Sequence, residues 1–152
     1  MGIYKNSRKM KLLAKMLALV ATKFEQSLDK QGQPYMLHCL HVMNTCGLED
    51  EISKCIALGH DLVEDTDVTY DFLVKEFNYE IAAGINNLTC DGDYDTYIRH
   101  LALFSKSMPH LIKIKLADLR HNMDASRLKG LSKKDFDRME KYMRSYTYLK
   151  ST

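Results

Sequence analysis

Apolar and polar positions alternate along most of the chain with the period of a helix. Leu13, Met16, Leu17, Val20 and Phe24 fall at i, i+3, i+4, i+7 spacing, which makes one buried stripe and predicts a first helix over residues 7–28. Gly32 and Pro34 mark residues 29–34 as a turn, after which residues 35–45, apolar with little β-branching, read as a second helix ended near Gly47. Residues 51–64 form the third. Thr66 and Thr69 offer N-cap hydroxyls for a short fourth helix over 70–77, followed by another over 79–88 and a polar break at 90–93. Tyr94, Tyr97, Ile98 and Leu101 again have helical spacing, and residues 105–109 close that segment.

One stretch reads two ways. Ile112-Lys-Ile-Lys-Leu116 alternates like a strand, yet Ile112, Leu116, Leu119 and Met123 make an equally good helical stripe. No other segment offers a strand to pair with it, so a helix is expected. The last helix has Ser132 as its cap and Asp135 in its first turn, with Phe136, Met139, Met143 and Tyr146 along one face. The expectation is an all-α fold, one domain over residues 1–152, with no repeat or linker.

Size and charge narrow the function. A chain of 152 residues can bury most of its apolar surface around one core. Lys and Arg total 22 against 20 Asp and Glu, a net charge of +2 that is too weak for a nucleic-acid footprint. The basic N-terminal run (Lys5, Arg8, Lys9, Lys11, Lys15) reads as a solvated helix face. Residues 10–20 are interrupted by Lys11 and Lys15 and too short to span a bilayer, and nothing resembles a signal peptide, so a cytoplasmic protein with no membrane or nucleic-acid partner is expected. Cys39, Cys46, Cys55 and Cys90 form no C-x-x-C pair and read as small buried hydrophobes in a reducing compartment. Assembly into a homo-oligomer is left open.

The chemistry concentrates in Ala57-Leu-Gly-His-Asp-Leu-Val-Glu-Asp-Thr66. On a continuous helix, His60, Asp61, Glu64 and Asp65 project into about 140° of circumference and can share one cavity. Carboxylates in an apolar stretch are costly to bury without compensation, and a divalent metal supplies it. Further ligands must come from other helices, with His38 or His41 and Asp118 as candidates. Imidazoles plus carboxylates suit Mn²⁺, Fe²⁺ or Zn²⁺ better than Ca²⁺.

Three ordered motifs sharpen this: Gly32-Gln-Pro-Tyr-Met-Leu-His38, Gly59-His-Asp-Leu-Val-Glu-Asp-Thr66 and Lys115-Leu-Ala-Asp-Leu-Arg-His-Asn-Met-Asp124. Together with the tail Leu131-Ser-Lys-Lys-Asp-Phe-Asp-Arg-Met-Glu-Lys-Tyr142, they resemble the HD-domain phosphohydrolases, and among these the small stand-alone relatives of the RelA/SpoT-type (p)ppGpp hydrolases. The resemblance implies an HD-domain helical bundle in which His38, His60, Asp61 and Asp118 hold a divalent metal, manganese in this family. It implies that Glu64 and Asp65 orient or activate the attacking water and that Asn122 lies in the substrate pocket. His121 occupies a family position beside Asn122, with catalytic and hydrogen-bonding roles both open, while His41, His100 and His110 have no counterpart.

The implied reaction is removal of pyrophosphate from the ribose 3′ position of a small phosphorylated nucleotide, with Arg120, Lys30 or Arg99 balancing phosphate charge. A nucleotide phosphomonoesterase acting on a nucleoside monophosphate or NADPH, or a nucleotide-binding module without turnover, are the alternatives. Three departures bear on the substrate: Asp29-Lys30 replaces a basic Arg-Lys pair that reads guanine, Cys90 replaces a lysine, and Leu119-Arg120 exchanges arginine and leucine. No nucleotide-synthetase domain fits after residue 152, so hydrolysis alone is expected, without regulation by an attached domain.

Overall fold

The computed structural model describes residues 11–128 and 130–152. The start of the expected first helix, with Lys5, Arg8 and Lys9, lies outside them. The elements are α1 (Lys11–Lys23), α2 (Met36–Thr45), α3 (Glu51–Gly59), α4 (Leu62–Asp65), α5 (Tyr70–Glu76), α6 (Tyr79–Leu88), α7 (Tyr94–Leu103), α8 (Pro109–Asn122), a 3₁₀ turn (Ala125–Arg127) and α9 (Lys133–Lys150). Among the described residues there is no strand, only an isolated bridge between Leu28 and Pro34 that closes the turn after α1. The fold is all-α, as expected.

Helix α3 is the axis of the core. It packs against α1, α2 and α6, and Cys55, Ile56, Ala57 and Leu58 have no exposed surface. α8 packs on α2 along one flank and on α9 along the other, so α2, α3 and α8 are held as neighbours. Sequence cues set several boundaries: Asp50, Thr69, Asn78 and Asp93 each accept a hydrogen bond from a backbone N–H of the helix that follows. Ser132 and Asp135 form a complete capping box at the start of α9. The ambiguous segment is helical, with Ile112, Ile114 and Leu119 in the core.

Several expectations needed correction. The third helix does not run unbroken to residue 64: it stops at Gly59, and Asp61 at φ −98°, ψ 0° turns the chain into the single turn of α4. That backbone lies in the sparsely populated bridge region, where many active-site residues sit. The first helix ends at Lys23, because the chain folds back so that Tyr35 N–H reaches Ser27 O at 2.9 Å. Pro109 opens α8 instead of closing the segment before it, since its missing N–H costs nothing in a first helical turn. On α9, Phe136 and Met143 are 57% and 55% exposed, while Ser145 and Leu149 are buried. Of the expected stripe Tyr146 packs against the core, but the packed face is turned toward Ser145 and Leu149 and leaves Phe136 and Met143 outside it. Among the described residues no helix is long and apolar enough to cross a membrane.

α3 and α6 approach so closely that Gly84 has no room for a side chain. A Cβ there meets Ile56 Cδ1 at 2.4 Å and Cγ1 at 2.8 Å. Gly84→Ala is expected to destabilise the fold by about 1–3 kcal/mol through overpacking, because β-branched Ile56 has few alternative rotamers. Urea unfolding followed by circular dichroism measures it, and an unchanged midpoint would contradict this account of the packing.

Candidate metal centre

α2, the α3–α4 junction and α8 bring His38, His60 and Asp118 into one buried cluster, with a ligand atom of each within 4.8 Å of the others. His38 is 2% exposed, His60 2% and Asp118 4%. Asp61 joins them: its Oδ2 is 3.0 Å from His60 Nε2 and 3.6 Å from His38 Nε2, while Asp118 Oδ1 is 3.2 Å from His38 Nε2 and 3.7 Å from His60 Nε2. Metal bonds of about 2.1 Å place neighbouring ligand atoms roughly 3–3.5 Å apart, so these spacings fit one small cation.

The donor set makes the same point chemically. His60 Nδ1 lies 2.8 Å from Ala57 O, a carbonyl that only accepts, so Nδ1 carries the ring proton and Nε2 presents a lone pair. Nε2 of both His38 and His60 is buried without a hydrogen-bond partner. Lone pairs and carboxylate oxygens facing one another out of contact with water repel unless positive charge lies among them. Burial opposes charge on His60, yet the carboxylates of Asp61 and Asp118 outweigh it and hold a proton there well above the usual histidine range.

The neighbours hold these groups in place. Burial opposes ionisation of Asp118, but Lys115 and the two imidazoles outweigh it and keep the carboxyl well below its usual range. Lys115 Nζ donates to Asp118 Oδ2 at 2.8 Å and Asn122 Nδ2 to Oδ1 at 2.6 Å, all from one face of α8. Tyr35 Oη donates to Asp61 Oδ2 at 2.6 Å. His121 Nδ1 lies 2.6 Å from His38 Nδ1, and its ring stacks on His41 with centroids 3.9 Å apart. Burial, then the charge of Arg127, push His121 down to about 4. His121 and Asn122 thus brace ligands, and His41 braces His121.

Above the cluster opens a cleft of about 570 Å³. Glu64, Asp65 and Lys30 line it, and Glu64 Oε2 accepts the backbone N–H of Cys90 at 2.8 Å. Arg99 and Arg120 do not line it. Arg99 sits in a separate groove with Arg144 and Tyr148, and exposed Arg120 donates to Thr45 O at 3.3 Å. The Leu119-Arg120 exchange places leucine in the core and turns the arginine outward. The cleft's cations are instead Lys30, Lys115, Arg127, Arg138 and Lys141. Sequence reading missed the last four because three come from segments that meet the cleft only through the packing of α8 and α9. Lys115 opened a motif yet had no assigned role, and Tyr35 likewise.

Asp65 is the carboxyl whose titration moves upward. Enclosure in the cleft, then the charges of Asp61 and Glu64, raise it to about 6. An acid whose folded value exceeds its unfolded one favours the protonated fold, so stability falls as pH rises from about 4 to about 6 and is level above. Metal-free Asp65→Asn is therefore expected to be more stable than wild type at pH 7.5, with the difference vanishing near pH 4. Thermal unfolding across that range checks it, and a pH-independent difference would contradict the shift.

No protein-family model matches the chain. It is 32% identical over 149 residues to the guanosine-3′,5′-bis(diphosphate) 3′-pyrophosphohydrolase of Borreliella burgdorferi, an alignment covering 91% of this chain and 22% of that protein. It is 30% identical over 102 residues to the Drosophila melanogaster pyrophosphohydrolase MESH1, covering 62% of this chain and 57% of the relative. The chain thus spans less than two thirds of the length of either curated relative. A solved structure described as a metazoan orthologue of SpoT that hydrolyses ppGpp superposes with a TM-score of 0.77 at 23% identity, covering 97% of this chain and 88% of that one. The likeness carried by three motifs extends along the chain, which is in sequence and in helical fold a relative of the ppGpp pyrophosphohydrolases.

Proposed function

We propose that the protein is a metal-dependent phosphohydrolase of a small phosphorylated nucleotide, and that its substrate is (p)ppGpp, from which it releases 3′-pyrophosphate. The observation that carries this is the buried set of two imidazole lone pairs and two carboxylates at the foot of a cleft walled by cations. His38, His60, Asp61 and Asp118 would hold the metal, and the mixed nitrogen and oxygen set suits Mn²⁺. A bound divalent ion supplies Lewis acidity toward a phosphoryl oxygen and an acidified water.

The protein's own groups account for the rest. Glu64, oriented by the Cys90 N–H, and Asp65, raised to about 6, stand at the cleft wall where a water must lose its proton, so Asp65 is ionised and able to accept it at neutral pH. Lys141 takes part in no ion pair among the described residues, and its ammonium rests on the rings of Tyr94 and Tyr142 at 4.3 and 5.1 Å. With Lys30 and Arg138 it offers charge to phosphates away from the reacting one. Four free cysteines support a reducing, cytoplasmic setting.

A second reading keeps the chemistry and changes the substrate. Asp29, at the position of the guanine-reading arginine, spends its carboxylate on Arg127 and on the N–H groups of Gln31 and Gln33, so it offers nothing to a base. That favours a nucleotide phosphomonoesterase with looser base selection. Incubation with ppGpp, nucleoside monophosphates and NADPH in the presence of Mn²⁺ separates the readings: pyrophosphate from ppGpp is expected, and orthophosphate alone would move the assignment to the second.

Ligand and base assignments separate by mutation. Asp61→Ala is expected to lose metal content and activity together, whereas Glu64→Gln keeps the metal and loses at least about 100-fold in kcat, the scale of general-base catalysis. Metal analysis beside steady-state kinetics reads both. Full activity in metal-free Asp61→Ala would overturn the ligand set, and wild-type kcat in Glu64→Gln would remove Glu64 from the chemistry.

A further inference from the structure

We propose that Arg127 is a positioning residue for the metal centre, fixing the tautomer of His121 and, through it, that of His38, so that His38 Nε2 meets the cluster as a lone pair. The inference rests on the reading of His38 as a metal ligand. A guanidinium has five N–H donors and no acceptor. Arg127 Nη1 lies 2.9 Å from His121 Nδ1 and donates to the same residue's carbonyl oxygen at 2.8 Å. His121 Nδ1 must therefore accept, which puts the proton of the neutral ring on Nε2. His38 Nδ1 is 2.6 Å from that same nitrogen. Two lone pairs at that distance repel, so His38 Nδ1 carries the proton and its Nε2 is free.

His60 reaches the same tautomer by a different route, through the carbonyl of Ala57 on its own helix. His38 makes no such hydrogen bond to a carbonyl or carboxylate among the described residues, so its orientation depends on His121 and on whatever fixes His121. Arg127 is held firmly enough for that. Its Nη2 donates to Asp29 Oδ2 at 2.8 Å, with the two side chains 18% and 9% exposed. Asp29 Oδ1 in turn accepts the N–H groups of Gln31 and Gln33, both at 2.9 Å, and Gln31 Nε2 donates to Ser126 O beside Arg127. The turn before α2 and the 3₁₀ turn after α8 are thus joined across the cleft mouth, and a line of hydrogen bonds runs from Asp29 through Arg127 and His121 to His38. Asp29 is where the chain departs from the motif it resembles. Its carboxylate anchors the donor that the metal ligand depends on.

The test uses Arg127→Met in an Asp29→Asn background, which leaves no buried carboxylate unpaired, with Arg127→Lys as the donor-retaining control. Long-range ¹H–¹⁵N spectra of the metal-free protein read the histidine tautomers, and calorimetric titration with Mn²⁺ reads affinity. Wild type and Arg127→Lys are expected to show His38 protonated at Nδ1. The methionine variant is expected to show mixed tautomers and about 10- to 100-fold weaker Mn²⁺ binding, the usual scale for losing a group that orients a metal ligand. Should that variant not fold, His121→Phe keeps a ring against His41, removes the acceptor and carries the same expectation. An unchanged His38 tautomer with unchanged Mn²⁺ affinity overturns the proposal. Wild type that binds no Mn²⁺, while His38 still loses its tautomer in the methionine variant, overturns the metal reading and leaves the relay standing.

Discussion

Charge balance at one buried point governs this structure. Two carboxylates and two imidazole lone pairs converge at the foot of the cleft, and three of them have close partners of their own: a main-chain carbonyl behind His60, an ammonium behind Asp118, a phenol behind Asp61. Such a cluster is unfavourable with its centre uncharged, and breaking any buried partnership leaves a group whose desolvation nothing offsets. The helices that meet there are also the ones that build the core. α3 delivers His60 at the end of the most deeply buried element, and α2 and α8 pack directly beside each other. Site and core are therefore fixed by the same contacts.

The cleft adds a second balance. Carboxylates gather at its floor, while Lys30, Arg127, Arg138 and Lys141 bring positive charge to its walls beside Glu64 and Asp65. The walls come from α9 and from the turns at either side of α2 and α8. Of the positions where the chain departs from the pattern it resembles, Asp29 lies in one of these turns.

Much of this was legible in the sequence, and the failures share a cause. Helical periodicity gave the all-α class but read residues 112–116 equally well as strand or helix, and it was the lack of any partner strand that decided for the helix the structure shows. The residues of the buried histidine–aspartate cluster were legible because they lie inside short motifs. The break at Asp61 was not, since nothing in Gly-His-Asp-Leu announces a change of helix axis. Arg99 and Arg120 looked like phosphate partners because charge can be counted along a chain, but direction cannot: one lies in another groove, and the other turned outward when Leu119 took the core position. Arg127, Arg138 and Lys141 became visible only once α8 and α9 were packed.

The way α9 is mounted has a mechanical consequence. Its fully buried residues, Ser145 and Leu149, lie in its C-terminal half, while Arg138 and Lys141 face the cleft further toward its start. The eleven residue steps from Arg138 to Leu149 span about 16 Å of helix, so a tilt of roughly 5° about Leu149 carries the Arg138 backbone about 1.4 Å. The helix is a lever with its fulcrum at the far end from the chemistry. A change in how Leu149 is packed would therefore move Arg138 and Lys141 relative to the acidic floor without touching the cleft itself.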